Sequence, residues 1–168
     1  AATYRVNAGV AYYAQPLLDS VTNQEVLVAT AYAMVYSKPG SDKYYFVRDS
    51  DGQFRTFPTD IVLFLSHPDP LPQNLGMTQI NLWTGETDEE VDEGLFWAHV
   101  FKPTSDMVTT GGRERFVVQL GPTPTEDPEV RLVRPDLGGL FLPGTNDTNL
   151  MGSRIELFRS TGRVKVAS

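Results

Sequence analysis

The 168-residue chain contains no cysteine. That excludes disulfides, thiolate zinc sites and a cysteine nucleophile. It has only two histidines, His67 and His99, too few for a three-histidine metal site, and no His-x-x-x-His pair. Glycine-rich phosphate loops are absent, and so is the Gly-x-Ser-x-Gly turn that presents a serine nucleophile in many hydrolases. No segment approaches the ~20 consecutive apolar residues of a membrane-spanning helix. Basic side chains are in the minority, 14 against 21 acidic, for a formal charge of −7. Nucleic-acid binding draws on a basic surface that displaces counterions. Here the densest basic cluster, Arg113 and Arg115, encloses Glu114, so no nucleic-acid partner is expected.

Forty per cent of the residues are hydrophobic, and a chain of this length can bury a core without metal or disulfide support. The 14 glycines and 12 prolines punctuate it too often for a helical bundle. Alternating or β-branched runs recur between these breaks. They span Thr3 to Tyr13, Glu25 to Tyr36, Lys43 to Arg48, Gln53 to Phe57, Ile61 to Leu65, Met77 to Trp83, Leu95 to Phe101, Arg113 to Leu120, Glu129 to Val133, Arg154 to Phe158 and Arg163 to Val166. The run from Glu25 reads as strand by its valines and as helix by its alanines. The turn Ser37-Lys-Pro-Gly40 and the partner run after it favour strand. Gln15-Pro16 is expected to end the first strand. Thr87 with Glu90 fits a capping box, so one helical turn is expected near Thr87 to Glu93. Ser160-Thr-Gly162 reads as a closing hairpin turn.

Short strands at a spacing of ~10–15 residues, with no βαβ alternation, predict an all-β fold: an antiparallel sandwich or partly open barrel with long loops and little helix. No repeat of fixed period supports a trefoil. Residues 1–168 read as a single domain, expected to be a monomer in isolation. The start at Ala1 and the strand-like end suggest excision from a longer protein.

Within this frame the chemistry is sparse. If Phe96 to Phe101 alternates, His99 shares a face with Trp97 and Phe101 and is a packed strand histidine. His67 lies beside Ser66 in Ser66-His-Pro-Asp-Pro-Leu-Pro72, where three prolines fix φ and remove donors. A Ser-His-acid group needs a serine to attack, an imidazole to take its proton and a carboxylate to hold the ring. The candidates are Ser66, His67 and Asp51, with Asp49, Asp60 and Asp69 also near in sequence. Asp49-x-Asp51-Gly52 starts like a calcium loop, but Gln53 and Asp60 occupy positions where that loop carries ligands, so a hairpin turn is the better reading. The acidic cluster Glu86 to Glu93 reads as a solvated face, and no metal or other cofactor is expected. Asn146-Asp-Thr148 is a glycosylation triplet.

Tyr4-Arg-Val-Asn-Ala-Gly-Val-Ala-Tyr-Tyr-Ala14, then Asp51-Gly-Gln-Phe-Arg-Thr-Phe-Pro-Thr59 and Ile61 to Leu65, resemble a viral module. It is the protruding domain that follows the jelly roll in a major capsid protein of iflaviruses, picorna-like viruses of insects. The resemblance covers about the first 65 residues. It implies an all-β module at the virion surface, assembled in the host cytoplasm beside other capsid subunits. The partner it implies is a host receptor, surface glycan or membrane component. It also implies an Asp-His-Ser group suggestive of hydrolase chemistry. Asp51 falls near the acid's place, but no histidine lies between Tyr13 and Tyr44, where the family's His-Ser pair falls. Ser66 and His67 come later and in reverse order. Two other functions fit the residues: a hydrolase using Ser66 and His67, and a carbohydrate-binding sandwich with Trp83 or Trp97 as a stacking platform.

Overall fold

The computed structural model describes residues 6–19, 24–37, 41–47, 54–58, 61–65, 75–85, 87–91, 95–109, 113–122 and 153–167. These form eleven strands and no α-helix. They are β1 (Asn7–Asp19), β2 (Gln24–Ser37), β3 (Lys43–Phe46), β4 (Arg55–Thr56), β5 (Ile61–Phe64), β6 (Thr78–Trp83), β7 (Phe96–Phe101), β8 (Met107–Val108), β9 (Arg115–Pro122), β10 (Ser153–Phe158) and β11 (Val164–Ala167). The fold is all-β, as the turn spacing predicts. The expected strand at Glu129 to Val133 lies outside the described residues.

The pairing is continuous. It runs β1-β7-β6-β3-β2-β5-β9-β10-β11, and β1 also pairs β2. The last contact closes β1, β7, β6, β3 and β2 into a five-stranded ring. A ring with an odd number of strands cannot alternate direction throughout, so one pair must be parallel. That pair is β3–β6, with Tyr44 opposite Leu82. A parallel pair needs a long crossover, and the chain between the two strands carries β4 and β5 as it returns.

Side-chain size explains how so few strands close. Ala11 pairs Ala33 on one side and Ala98 on the other. In the next row Gly9 sits between Val35 and Val100. A Cβ on Gly9 would stand 2.0 Å from the carbonyl oxygen of His99, so only glycine allows this approach. From the wall across the ring, Tyr44, Phe46, Ile80 and Leu82 fill the space that the small residues leave, joined by Phe96. Ala33 of β2 is therefore a ring-interior residue rather than a helix former, and Ala29 is buried in the second core. Phe54 stacks on Phe96 at 5.2 Å and meets Phe46 edge-on at 5.8 Å, adding aromatic surface to this core.

β1 and β2 continue as a hairpin beyond the ring. The register shifts between Tyr13 and Ala14, which face Ala31 and Ala29, and Thr30 is the extra residue. This bulge changes which β2 side chains face the second core: Tyr32 before it, Ala29 and Leu27 after it. The Gln15 amide donates to Thr30 Oγ1 at 2.8 Å. Contrary to the sequence expectation, Pro16 does not end β1. It pairs with Leu27, and β7 pairs β1 only from Ala8 to Tyr12. Pro16 thus lies where β1 is bonded on one side, and its missing N–H interrupts no ladder.

Past the ring the sheet opens through β5, β9, β10 and β11. Its inner face, with Leu63, Phe116, Val118 and Leu157, packs on the outer wall of the ring through Tyr12, Met77 and Met107. Gly76 has φ +83°, and a Cβ there would lie 2.9 Å from the Phe116 ring. The β10–β11 turn closes as predicted: the Phe158 N–H donates to the Arg163 carbonyl at 3.0 Å and the Gly162 N–H to the Phe158 carbonyl at 2.8 Å.

The helical turn expected at Thr87 is not formed in the described part, 87–91. Instead the segment folds back on β6. The Thr84 N–H donates to the Glu89 carbonyl at 2.9 Å and the Val91 N–H to the Leu82 carbonyl at 2.7 Å. Asp88 takes φ +55°, and a left-handed residue is incompatible with continuing a helix.

Candidate functional site

Of the two histidines, the structure describes His99. It is 3% exposed in the middle of β7, on the face that looks toward the second sheet, as the alternation of its strand predicts. Its Nε2 lies 3.0 Å from the Leu75 carbonyl oxygen. A carbonyl only accepts, so Nε2 carries the proton and donates. Nδ1 is then bare and accepts the Tyr12 hydroxyl at 2.7 Å. The two rings meet edge-on at 5.5 Å. Burial disfavours the imidazolium and pushes the His99 pKa down to about 4, against a smaller upward pull from the Leu75 carbonyl. Burial also raises the Tyr12 phenol above its ordinary value. The pair is neutral at physiological pH, and both ring nitrogens are committed. It can pin two strands, but it has no free base to take a proton from a substrate.

Tyr12 and His99 form part of the wall of a cavity of about 280 Å³ between the ring and the open sheet. Val118, Leu120, Ile155 and Leu157 of β9 and β10 face them across it. Tyr32, stacked obliquely on Phe57 at 5.2 Å, and Val164 of β11 also line it, with Val10, Leu63 and Phe101. No charged side chain occurs among the described lining residues. No family model, curated protein or solved structure matches this chain.

The candidates Ser66, His67 and Asp51 all lie outside the described residues, as do Asp49, Asp60 and Asp69. Their described neighbours hang on one strand. The Val47 N–H donates to the Met34 carbonyl at 2.9 Å, and the Phe57 N–H to the Thr30 carbonyl at 3.1 Å, so these flank the Asp51 segment. The Leu65 N–H, just before Ser66, donates to the Leu27 carbonyl at 2.9 Å. At ~3.3 Å per strand residue, the two anchor regions on β2 are separated by roughly 10–23 Å.

Neither tryptophan presents a bare, exposed face. The Lys43 ammonium stands 4.4 Å from the centroid of the Trp83 ring and is held there by Asp88 at 3.1 Å. Trp97 is half-buried against the inter-sheet core. Of the basic cluster, Arg115 pairs with Glu156. Glu114 accepts from the Ser160 N–H at 3.1 Å and hydroxyl at 2.5 Å, and these bonds hold its carboxyl below the usual range. Among the described residues no three His, Asp or Glu side chains are grouped to hold a metal ion.

Sequence reasoning found the packing of His99 but missed its partner Tyr12 and the cavity beside it. The alternation of Val10 and Tyr12 marks them as sharing a strand face. Nothing in the local sequence marks the second wall, which comes from residues more than a hundred positions away.

Proposed function

We propose that this chain is a recognition module: the protruding domain of a viral capsid protein, displayed on the virion surface, that engages a host receptor, glycan or membrane component. One observation carries the reading. β9 and β10 pair directly, with Leu120 opposite Ser153, yet residues 123–152 intervene. Hairpin connections usually take about 2–5 residues, and connections beyond ~12–15 are mostly functional or linker segments. The inserted sequence is rich in proline, glycine and asparagine around the apolar trio Leu140-Phe-Leu142. Long insertions on a β scaffold suit recognition, because the scaffold stays in place while the connections vary. The resemblance of the first 65 residues to iflavirus protruding domains supplies the setting.

Cell binding tests this reading. The labelled 168-residue chain should bind cultured insect cells saturably, and unlabelled chain should compete. A variant with residues 125–150 replaced by a Gly-Ser linker should keep the strand-rich circular dichroism spectrum and lose most of that binding. Binding that never saturates, or that survives the replacement unchanged, removes the 123–152 connection from the recognition surface.

A further inference from the structure

The open sheet ends in a strand with one side unused. Among the described strands β11 pairs β10 alone, and Val164, Lys165 and Val166 are all exposed. The direction of its main-chain groups follows from the turn before it. The Phe158 N–H donates to the Arg163 carbonyl at 3.0 Å, and bonded and non-bonded pairs alternate along an antiparallel ladder. Glu156 and Lys165 are therefore a bonded pair, while Leu157 with Val164 and Ile155 with Val166 are not. Val164 and Val166 thus turn their N–H and C=O groups to the open edge. Side chains alternate as well. Val164 and Val166, 52% and 68% exposed, share the face of Leu157 and Ile155. Lys165 lies on the opposite face, with Arg163 just before the strand. Glu156, across from Lys165, is engaged by Arg115, and among the described residues no carboxylate forms an ion pair with Arg163 or Lys165.

The geometry points to the β11 edge as a docking site for an extended peptide segment of another protein, one that carries an acidic residue between two apolar ones. The segment adds to the sheet as a further strand, antiparallel to β11, the more stable pairing. Main-chain bonds at Val164 and Val166 supply affinity, and alternate side chains supply specificity. The apolar residues stand opposite Val164 and Val166. The carboxylate stands opposite Lys165, in a non-bonded pair, where side chains come closest. β10 already shows this match, since Ile155-Glu156-Leu157 faces the same three residues from the other side. A second copy of the chain does not fit. With valines against valines, two antiparallel β11 strands set Lys165 against Lys165, and like charges directly opposite are destabilising. A lysine on an edge usually guards it, and here the guard selects an acidic strand. The site uses neither the 123–152 connection nor Ser66, His67 and Asp51, so it stands or falls apart from the recognition reading.

The test uses the full chain and the end-capped peptide Thr-Val-Glu-Val-Thr as probe, followed by NMR and amide hydrogen exchange. The peptide should bind one to one with a Kd on the order of 1 mM, because a short flexible strand loses much of its freedom on binding. At saturation the Val164 and Val166 amides should exchange several-fold more slowly, while that of Lys165, already bonded to β10, changes little. The same peptide with Lys in place of Glu should bind about 5-fold more weakly. Val166→Pro removes one outward N–H and leaves the bonds to β10 in place, so it should keep the circular dichroism spectrum and lose binding. If β11 loosens in that variant, the two peptides on the wild type decide. The proposal is overturned by absent saturation, by equal affinity for the two peptides, by saturation with unchanged exchange at Val164 and Val166, or by full binding to a folded Val166→Pro. Slowed exchange of those amides in the free chain that grows with its concentration also overturns it, and assigns the edge to a second copy.

Discussion

The molecule's two halves solve the edge problem of β-sheets in opposite ways. In the ring, each strand is bonded to two neighbours, so no free edge remains over the closed stretch. Its interior sets the small residues Ala11, Ala33 and Ala98 on β1, β2 and β7 against large ones on β3 and β6, joined by Phe96 of β7. In the open sheet, β11 pairs β10 alone, and Val164 and Val166 are 52% and 68% exposed. The ring closes by excluding volume at Gly9, Ala11, Ala33 and Ala98. The open sheet is held by packing on the ring's outer wall through Phe116, Val118 and Leu157. One half therefore depends on residues that are small, the other on residues that are large. The cavity and the Tyr12–His99 pair lie where the two meet.

Substitutions can break this contrast from either side. The largest loss should come from Phe116→Ala, which empties the joint between the halves and should cost about 3–5 kcal/mol, read from urea midpoints. A loss under 1 kcal/mol would show that the sheet does not rely on that joint. Gly9→Ala should follow at about 3 kcal/mol, through a clash with backbone rather than a flexible side chain. Hydrogen exchange sharpens the contrast: Gly9→Ala should speed the ring amides of β1 and β7 first, and Phe116→Ala those of β9 and β10.

Acid acts on the same joint. In the unfolded chain His99 takes up a proton near the ordinary ~6.5, but in the fold only near 4. As the pH falls through this window the unfolded state binds the proton first, so stability declines. The loss amounts to about 3 kcal/mol by pH 4 and levels off below it. Glu114 is held below the usual carboxylate range by Ser160, and Asp106 by Thr104. They act in the same direction at lower pH, so urea midpoints at pH 7.0 and 5.0 isolate the histidine. Flat stability across that interval would mean that His99 is not sealed in the core. The smallest effect belongs to the free edge: Val166→Lys should change stability by no more than about 0.5 kcal/mol.

Much of the strand pattern was legible because local chemistry decides it. Lys43 to Phe46, Ile61 to Phe64 and Phe96 to Phe101 alternate or carry β-branched runs between turn residues, and each is a strand. Where local signals misled, pairing overrode them. Pro16 reads as a break but lies on the singly bonded part of β1. Thr87 and Glu90 read as a helix cap, yet the backbone bonds from Thr84 and Val91 tie the segment to itself and to β6. Ring closure was illegible, since it depends on Ala11 meeting Ala33 and Ala98, which are distant in sequence. His99 was legible as a packed residue from its neighbours Trp97 and Phe101. Its partner Tyr12, 87 residues away, was not.

On the proposed reading this chain recognises rather than catalyses, and His99 is a structural residue. An NMR titration of both imidazoles, joined to an ester-hydrolysis assay of wild type and His67→Ala, tests this most directly. His99 should stay neutral down to about pH 4, and both proteins should hydrolyse ester only at the background rate. A wild-type rate at least about 10-fold above that of His67→Ala, within the range of general-base catalysis, would contradict the account and restore the Ser66, His67 and Asp51 group as an active site.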